Sequence, residues 1–140
     1  MTGSARPWRN FYGRRHGKAL KPAQRRYLDE DLPRLAVDLD GGLDPAALFC
    51  GRPVWLEVGF GGGEHLAWQA QAHPHVGIIG AEPFINGVAK LLSQVEQQDL
   101  KNVRIWDDDI RPRFGEIGDA TISRAFLLFP DPWPKSRHHK

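Results

Sequence analysis

Cysteine is nearly absent from this sequence, which has one, Cys50, among 140 residues. A single thiol cannot form an internal disulfide, and it cannot build a thiolate cluster for a metal. Apolar runs of the length that a membrane span needs are also missing, and the charged N-terminus has no apolar signal core. We therefore expect a cytoplasmic protein that has no internal disulfide and no association with a membrane.

Acidic residues are absent from the N-terminal region, where basic residues are frequent, although the whole chain carries a net charge of only +2. Basic residues return at the other end, so that basic termini flank an acidic middle. Basic ends suit a polyanion such as RNA, and an acidic centre suits a small cation. A charged end can equally be a solvated tail, but Trp8, Phe11 and Tyr12 add stacking surface that favours RNA. We interpret residues 1–21 as a basic flexible arm and residues 22–140 as the folded domain.

The stretch Val54–Gly63, VWLEVGFGGG, is the one around which the chain is organised. Its first five residues offer β-branched and large apolar side chains, which are typical of a buried strand. Gly59, Gly61 and Gly63 then allow a tight turn and the close approach of a ligand. Glu64–Ala72 has apolar residues at helical spacing. A strand, a glycine loop and a helix in this order predict a nucleotide-type binding turn.

Two ligand classes fit such a turn. A dinucleotide-binding fingerprint has glycines in the spacing G-x-G-x-x-G, and Glu64 stands where the third glycine would fall. The pattern here is E-x-G-x-G-x-G, which begins at Glu57 and resembles the first motif of class I methyltransferases. Because a carboxylate repels a pyrophosphate and attracts a sulfonium or an ammonium group, Glu57 favours S-adenosylmethionine over a nicotinamide dinucleotide. The glycines alone are also compatible with a purely structural turn.

Three further apolar segments alternate with helical patterns. Val76–Ala81 is followed by Glu82, Val103–Trp106 is followed by an acidic run that ends at Asp109, and Ala120–Phe129 is rich in apolar residues. The alternation predicts an α/β, Rossmann-like fold with a parallel sheet whose strands are buried and whose ligands lie beyond their carboxyl ends. We expect Glu82 to hold ribose hydroxyls. Asp109 is expected either to accept from an adenine amino group or to lie in a solvated loop.

Helices are predicted between these strands and before them. One is expected to begin at Pro22, where a proline in the first turn leaves no hydrogen bond unmade, and to break at Pro33. A short helical turn is predicted at Pro45–Phe49. Residues Val88–Val95 show the apolar stripe of an amphipathic helix that packs on the sheet.

The acidic run Asp107–Asp109 offers three adjacent carboxylates, a type of ligand that divalent metal ions bind. Consecutive residues on an extended segment point to opposite sides, and no histidine stands beside these three. We therefore predict that no metal ion is bound.

Asp131 lies between two prolines, in the sequence FPDPWPK from Phe129 to Lys135. The prolines restrict the backbone on both sides of it, and rigid placement is what a residue that positions a substrate needs. A proline-rich loop can also serve only to turn the chain, with Trp133 as an apolar plug. The place of Asp131, at the end of a strand that faces the glycine turn, favours the functional interpretation.

Five segments of the chain follow the pattern of one known family. They are YGRRHGK from Tyr12, EVGFGGG from Glu57, GAE ending at Glu82, NVR from Asn102 with Asp109, and FPDPWPKSRHHK from Phe129 to Lys140. Together they resemble bacterial tRNA (guanine-N7)-methyltransferases, and the likeness extends from about Phe11 to Lys140. Within methyltransferases, the proline-aspartate-proline-tryptophan motif is the most specific of these signals.

The resemblance implies transfer of a methyl group from S-adenosylmethionine to N7 of guanosine 46 in tRNA. It assigns Glu57, Glu82 and Asp109 to cofactor binding together with the loop glycines, Asp131 to catalysis and to the cofactor site, and Lys135 to the substrate. From their charge, we expect Arg137 and His138 to face phosphates of the tRNA.

One departure from the family pattern concerns length, since the family continues beyond Lys140 with further strands and helices. We therefore expect a class I methyltransferase fold that is truncated after the fourth strand, and either a monomer or a homodimer. Two other interpretations remain open: a non-catalytic module that binds S-adenosylmethionine or RNA, and a nicotinamide-dependent oxidoreductase.

Overall fold

A parallel four-stranded sheet forms the centre of the computed structural model, which describes residues 19–117 and 122–128. Its strands are β1 (Val54–Val58), β2 (Gly77–Ala81), β3 (Val103–Trp106) and β4 (Arg124–Leu127). Their order is β3-β2-β1-β4, and Leu56 of β1 pairs with Ile79 on one side and with Ala125 on the other. Parallel neighbours cannot be joined by a hairpin and need a crossover connection.

Helices supply these crossovers. The helical elements are α1 (Pro22–Arg26), a π-helical turn (Tyr27–Asp31), α2 (Leu32–Leu35), α3 (Pro45–Phe49), α4 (Glu64–Ala72), α5 (Ile85–Gln98), a 3₁₀ turn (Arg111–Arg113) and α6 (Phe114–Ile117). Helix α4 connects β1 to β2, and α5 connects β2 to β3. The predicted α/β architecture with a parallel sheet is thus confirmed.

Apolar side chains cover both faces of the three strands β1, β2 and β3, because successive residues of a strand point to opposite sides. Ile78 packs in a cluster with residues of α4 and α5. Its neighbour Ile79 packs in a second cluster with Phe49 of α3 and Trp106 of β3. Burial on both faces explains why the central strands read as continuous apolar runs rather than as alternating ones.

The first helical segment continues through Pro33, and the prediction that it breaks there is wrong. In the π-helical turn, the Leu32 N–H donates to the carbonyl of Tyr27. Pro33 then lies in the first turn of α2, where its missing N–H leaves no helical bond unmade. At the start of α1, the backbone N–H of the N-cap residue Lys21 donates to Gln24 Oε1 at 3.1 Å. A glutamine side chain in the first turn thus supplies the hydrogen-bond acceptor for this N–H.

The other predicted helices are confirmed. The short helix α3 is capped by Asp44, whose Oδ1 accepts from the backbone N–H of Ala47 at 3.4 Å. Helix α4 has the predicted bounds, and α5 extends beyond the predicted apolar stripe at both ends.

Strand β4 is shorter and more exposed than the sequence predicts. It occupies part of the predicted segment 120–129, of which residues 120, 121 and 129 lie outside the described residues. Leu127 is 59% exposed, and no residue of β4 belongs to either apolar cluster. Because the described helices place their apolar residues around β1, β2 and β3, the prediction of a buried fourth strand is wrong for this segment.

Candidate binding site at the glycine loop

Three of the predicted site carboxylates lie at the carboxyl edge of the sheet. Glu57 is the penultimate residue of β1, Glu82 directly follows β2, and Asp109 comes three residues after β3. Since parallel strands end at the same edge, these residues share that edge with the glycine loop, residues 59–63. The other predicted site residues, Asp131, Lys135, Arg137 and His138, lie outside the described residues.

The glycine loop has the backbone that its sequence predicts. Gly59, Gly61 and Gly63 have φ angles of 79°, 61° and 86°, values at which a side chain is strained. At Gly63, a Cβ would lie 2.8 Å from the Cβ of Leu91, which is on α5. At Gly61, by contrast, a Cβ would meet nothing within 4 Å among the described atoms. The loop is therefore held against α5 on one side and leaves space beside Gly61 on the other.

Glu82 ties this loop to the end of β2. Its Oε1 accepts from the Gly61 N–H at 2.8 Å, and its Oε2 accepts from the Phe84 N–H at 3.1 Å. The residue is only 6% exposed. From α5, Gln94 Nε2 donates to the carbonyl of Gly62 at 2.8 Å. Each carboxylate oxygen can accept more than one hydrogen bond, so the expected contact with ribose hydroxyls is compatible with the loop contacts and stays a prediction.

Glu57 is buried and has one strong partner. It is 0% exposed, and its Oε1 lies 2.7 Å from Nδ1 of His65, in the first turn of α4. Burial raises the pKa of the Glu57 carboxyl, and the hydrogen bond and charge of His65 act against that rise. Oε2 has no hydrogen-bond partner among the described residues. A buried carboxylate with an unused oxygen is well suited to bind a cation.

Asp109 is paired with a nearby arginine. The Arg111 Nη2 lies 2.6 Å from Asp109 Oδ2, and its Nε lies 2.9 Å from Oδ1. This pairing lowers the pKa of the Asp109 carboxyl. The indole N–H of Trp106 donates to the Asp109 carbonyl at 3.2 Å and fixes the turn. An adenine amino group would therefore have to share the Asp109 carboxylate with Arg111.

Three residues of this site were not predicted: His65, Gln94 and Arg111. The sequence predicts α4 and α5 from their apolar faces, whereas His65 and Gln94 are polar positions of these helices. The position of His65 was itself a signal, since the first helical turn after a glycine loop lies close to the end of the preceding strand, where Glu57 is located. For Arg111, the signal was its position two residues after Asp109, a spacing at which an arginine can pair with the carboxylate.

None of the helices in the described part of the chain combines the length and the apolar character needed to cross a membrane. Within residues 19–117 and 122–128, no group of three or more histidine, cysteine, aspartate or glutamate side chains is arranged to hold a metal ion.

Comparison with known proteins agrees with this architecture. A family model described as "Putative methyltransferase" matches residues 51–140. The chain is 53% identical over 148 residues to the tRNA (guanine-N(7)-)-methyltransferase of Roseobacter denitrificans, a match that covers 100% of the chain and 64% of the relative. It is 57% identical to the enzyme of the same name from Ruegeria pomeroyi, with 99% and 62% covered. The chain thus spans less than two thirds of the length of these relatives.

A solved structure shares the fold. The 30S ribosomal A1408 methyltransferase from an uncultured bacterium aligns with a TM-score of 0.50 and 15% identity, over 84% of this chain and 49% of that one. At this identity the likeness concerns the fold alone, and it supports the predicted Rossmann-like methyltransferase fold. Since the family model matches more than half of the sequence, this chain belongs to that family of methyltransferases.

Proposed function

We propose that this chain acts in the cytoplasm as a tRNA (guanine-N7)-methyltransferase, with S-adenosylmethionine as the methyl donor and guanosine 46 of the variable loop as the target. The observation that carries the proposal is the buried carboxylate of Glu57 beside the glycine loop, with Oε2 unused among the described residues. The names of relatives that are 53% and 57% identical support it.

The residues at the carboxyl edge fit the chemical groups of S-adenosylmethionine. Its amino-acid part carries an ammonium group and a sulfonium, which the Glu57 carboxylate attracts. The space beside Gly61 admits a ligand close to the backbone. Glu82 would accept from the ribose hydroxyls, and Asp109 would accept from the adenine amino group. Gly59 and Gly63 shape the loop that these groups would contact.

The reaction requires no general base from the protein. When bound, S-adenosylmethionine supplies a methyl group to the N7 lone pair of guanine, and the electron pair of the broken carbon–sulfur bond stays on the sulfur. N7 has no proton to lose, so the protein contributes mainly by aligning the reacting atoms. In this proposal, Asp131 accepts from guanine N1–H or from the amino group of the base, a donor pattern that adenine lacks. Lys135, Arg137 and His138 contact tRNA phosphates.

The test is methyl transfer to tRNA. The protein is incubated with S-adenosylmethionine labelled in the methyl group and with a tRNA transcript, and the labelled base is identified by chemical cleavage at 7-methylguanosine. We expect label at N7 of guanosine 46, and none in a transcript that carries adenosine there. Label on another base would contradict the proposal. Binding of the cofactor without transfer would identify a non-catalytic binding module instead.

The role of Asp131 gives a separate prediction. Asp131→Ala should reduce transfer by about 100-fold or more, since misplacement of a reacting group by roughly 1 Å has an effect of that size. Cofactor affinity, measured by calorimetry, should change little. A variant that loses cofactor binding and retains the transfer rate at saturating cofactor would show that Asp131 does not position the base.

A further inference from the structure

We infer that His65 is a positioning residue for the cofactor: it holds the Glu57 carboxylate in its charged form through Oε1 and leaves Oε2 to the positively charged amino-acid part of S-adenosylmethionine. The inference rests on the proposed function, which it deepens. Its basis is the 2.7 Å contact between His65 Nδ1 and Glu57 Oε1, together with the absence of a hydrogen-bond partner for Oε2 among the described residues.

The His65 ring is fixed from two sides. Phe126 of β4 meets it edge-on, with the ring centroids 5.4 Å apart and the planes at 71°. Trp68, one helical turn along α4, lies at 6.4 Å. The His65 side chain is 43% exposed, whereas that of Glu57 is 1% exposed. The His65 ring therefore lies between the buried Glu57 carboxylate and the surface, and its aromatic neighbours fix its orientation. A fixed ring is what a residue that positions another side chain requires.

A buried carboxylate needs such a donor to stay ionised. Burial without a partner favours the protonated form, and a hydrogen bond to the charged form opposes this. Titratable residues on the surrounding elements are Glu64 on α4, Glu82 after β2, Asp107 after β3 and Arg124 on β4. Among the described residues, His65 is the group whose hydrogen bond and charge lower the pKa of Glu57. Loss of this donor should raise the Glu57 pKa further.

The consequence is a defined pH dependence of cofactor binding. A cation binds the ionised carboxylate, so its affinity should increase as the pH rises through the pKa of Glu57. Without the His65 donor, the midpoint of this increase should move to higher pH. A residue that only packs the helix against the sheet would not move the midpoint.

The experiment compares a charged ligand with a neutral one. S-adenosylmethionine and 5′-methylthioadenosine, which lacks the amino-acid part and both positive charges, are titrated by calorimetry between pH 5 and pH 8. His65→Leu removes the donor, and His65→Asn places an amide N–H near the position of Nδ1. Because the affinity for a cation depends on the charge of the Glu57 carboxylate, we expect His65→Leu to bind S-adenosylmethionine about tenfold more weakly, with the midpoint at higher pH. His65→Asn should restore most of the affinity.

Affinity for 5′-methylthioadenosine should be unchanged in both variants. An equal loss for the two ligands would show that His65 only supports the loop, and it would overturn the inference, as would an unaltered affinity and midpoint for S-adenosylmethionine in His65→Leu. If His65→Leu does not fold, His65→Phe serves the same purpose, because it keeps an aromatic ring beside Phe126 and has no N–H donor. A wild-type protein that binds neither ligand would overturn the proposed function, whereas wild-type binding and transfer with unaffected His65 variants would overturn this inference alone.

Discussion

Substitution of Gly63 by alanine tests how the glycine loop is held. Gly63 has a φ of +86° and is the N-cap residue directly before α4. A Cβ at this position would lie 2.8 Å from both Cβ and Cδ1 of Leu91 and 3.2 Å from its Cα. Leu91 is 0% exposed, and its Cα belongs to the backbone of α5. The added methyl group therefore cannot be accommodated by rotation of a side chain alone.

Two effects contribute to the expected loss of stability. An L-residue in the left-handed region costs about 1–2 kcal/mol, and an extra methyl group in a packed core costs about 1–3 kcal/mol. Gly63→Ala should thus lower the free energy of unfolding by about 2–5 kcal/mol. Gly41 is the matched control, because its φ is +82° and a Cβ there would meet nothing within 4 Å. Gly41→Ala should show only the cost of the backbone strain.

Urea denaturation of the two variants and the wild type measures both effects. The free energy of unfolding of Gly63→Ala should fall below that of Gly41→Ala by about 1–3 kcal/mol, with an unchanged dependence on urea concentration. An equal loss in the two variants would refute the argument, because it would mean that contact with α5 does not restrict the loop.

Two further predictions concern the carboxylates. Glu82→Gln should lower the free energy of unfolding by about 1–3 kcal/mol, as seen by urea denaturation, because an amide NH₂ would face a backbone donor at Gly61 or Phe84; unchanged stability would contradict this. Glu57→Gln should stabilise the fold at pH 7 and much less at pH 4. The pKa of the Glu57 carboxyl is raised above its usual value of 4.5, so the folded protein binds the proton of this group more tightly than the unfolded chain does. The free energy of unfolding therefore falls as the pH rises from 4.5 through the pKa of Glu57 in the folded protein. Melting temperatures of Glu57→Gln and the wild type at the two pH values measure this difference in stability. A lower stability of Glu57→Gln than of the wild type at pH 7 would contradict the prediction.

Much of the fold could be predicted because its signals are local. The strand Val54–Val58 and the helix Glu64–Ala72 have the predicted bounds, since glycines mark the boundary between them. The short helix Pro45–Phe49 also has the predicted bounds, and it begins with a proline that can occupy a first turn. In these segments, the spacing of apolar residues and the positions of glycine and proline indicate the same element boundaries. The bounds could therefore be predicted without knowledge of the tertiary contacts.

Two features depended on information that local patterns do not contain. Whether Pro33 ends a helix depends on the turn before it, and here a π-helical turn lets the chain continue. Whether the apolar residues of β4 are buried depends on which elements lie over them. Leu127 has the side chain of a core residue and is 59% exposed, because neither apolar cluster of the described residues extends to β4.

The two glutamates of the binding site, Glu57 and Glu82, also show the difference between what the local sequence indicates and what the tertiary contacts decide. The sequence indicated both as cofactor-binding acids, but their partners were set by the fold. Both oxygens of Glu82 accept backbone N–H groups, whereas Glu57 uses one oxygen with His65 and has no described hydrogen-bond partner for the other. Glu82 thus fixes the shape of the loop, and Glu57 keeps the capacity to respond to charge. It follows that Glu82→Gln should weaken S-adenosylmethionine and neutral 5′-methylthioadenosine alike in calorimetric titrations, while Glu57→Gln should weaken only the charged ligand.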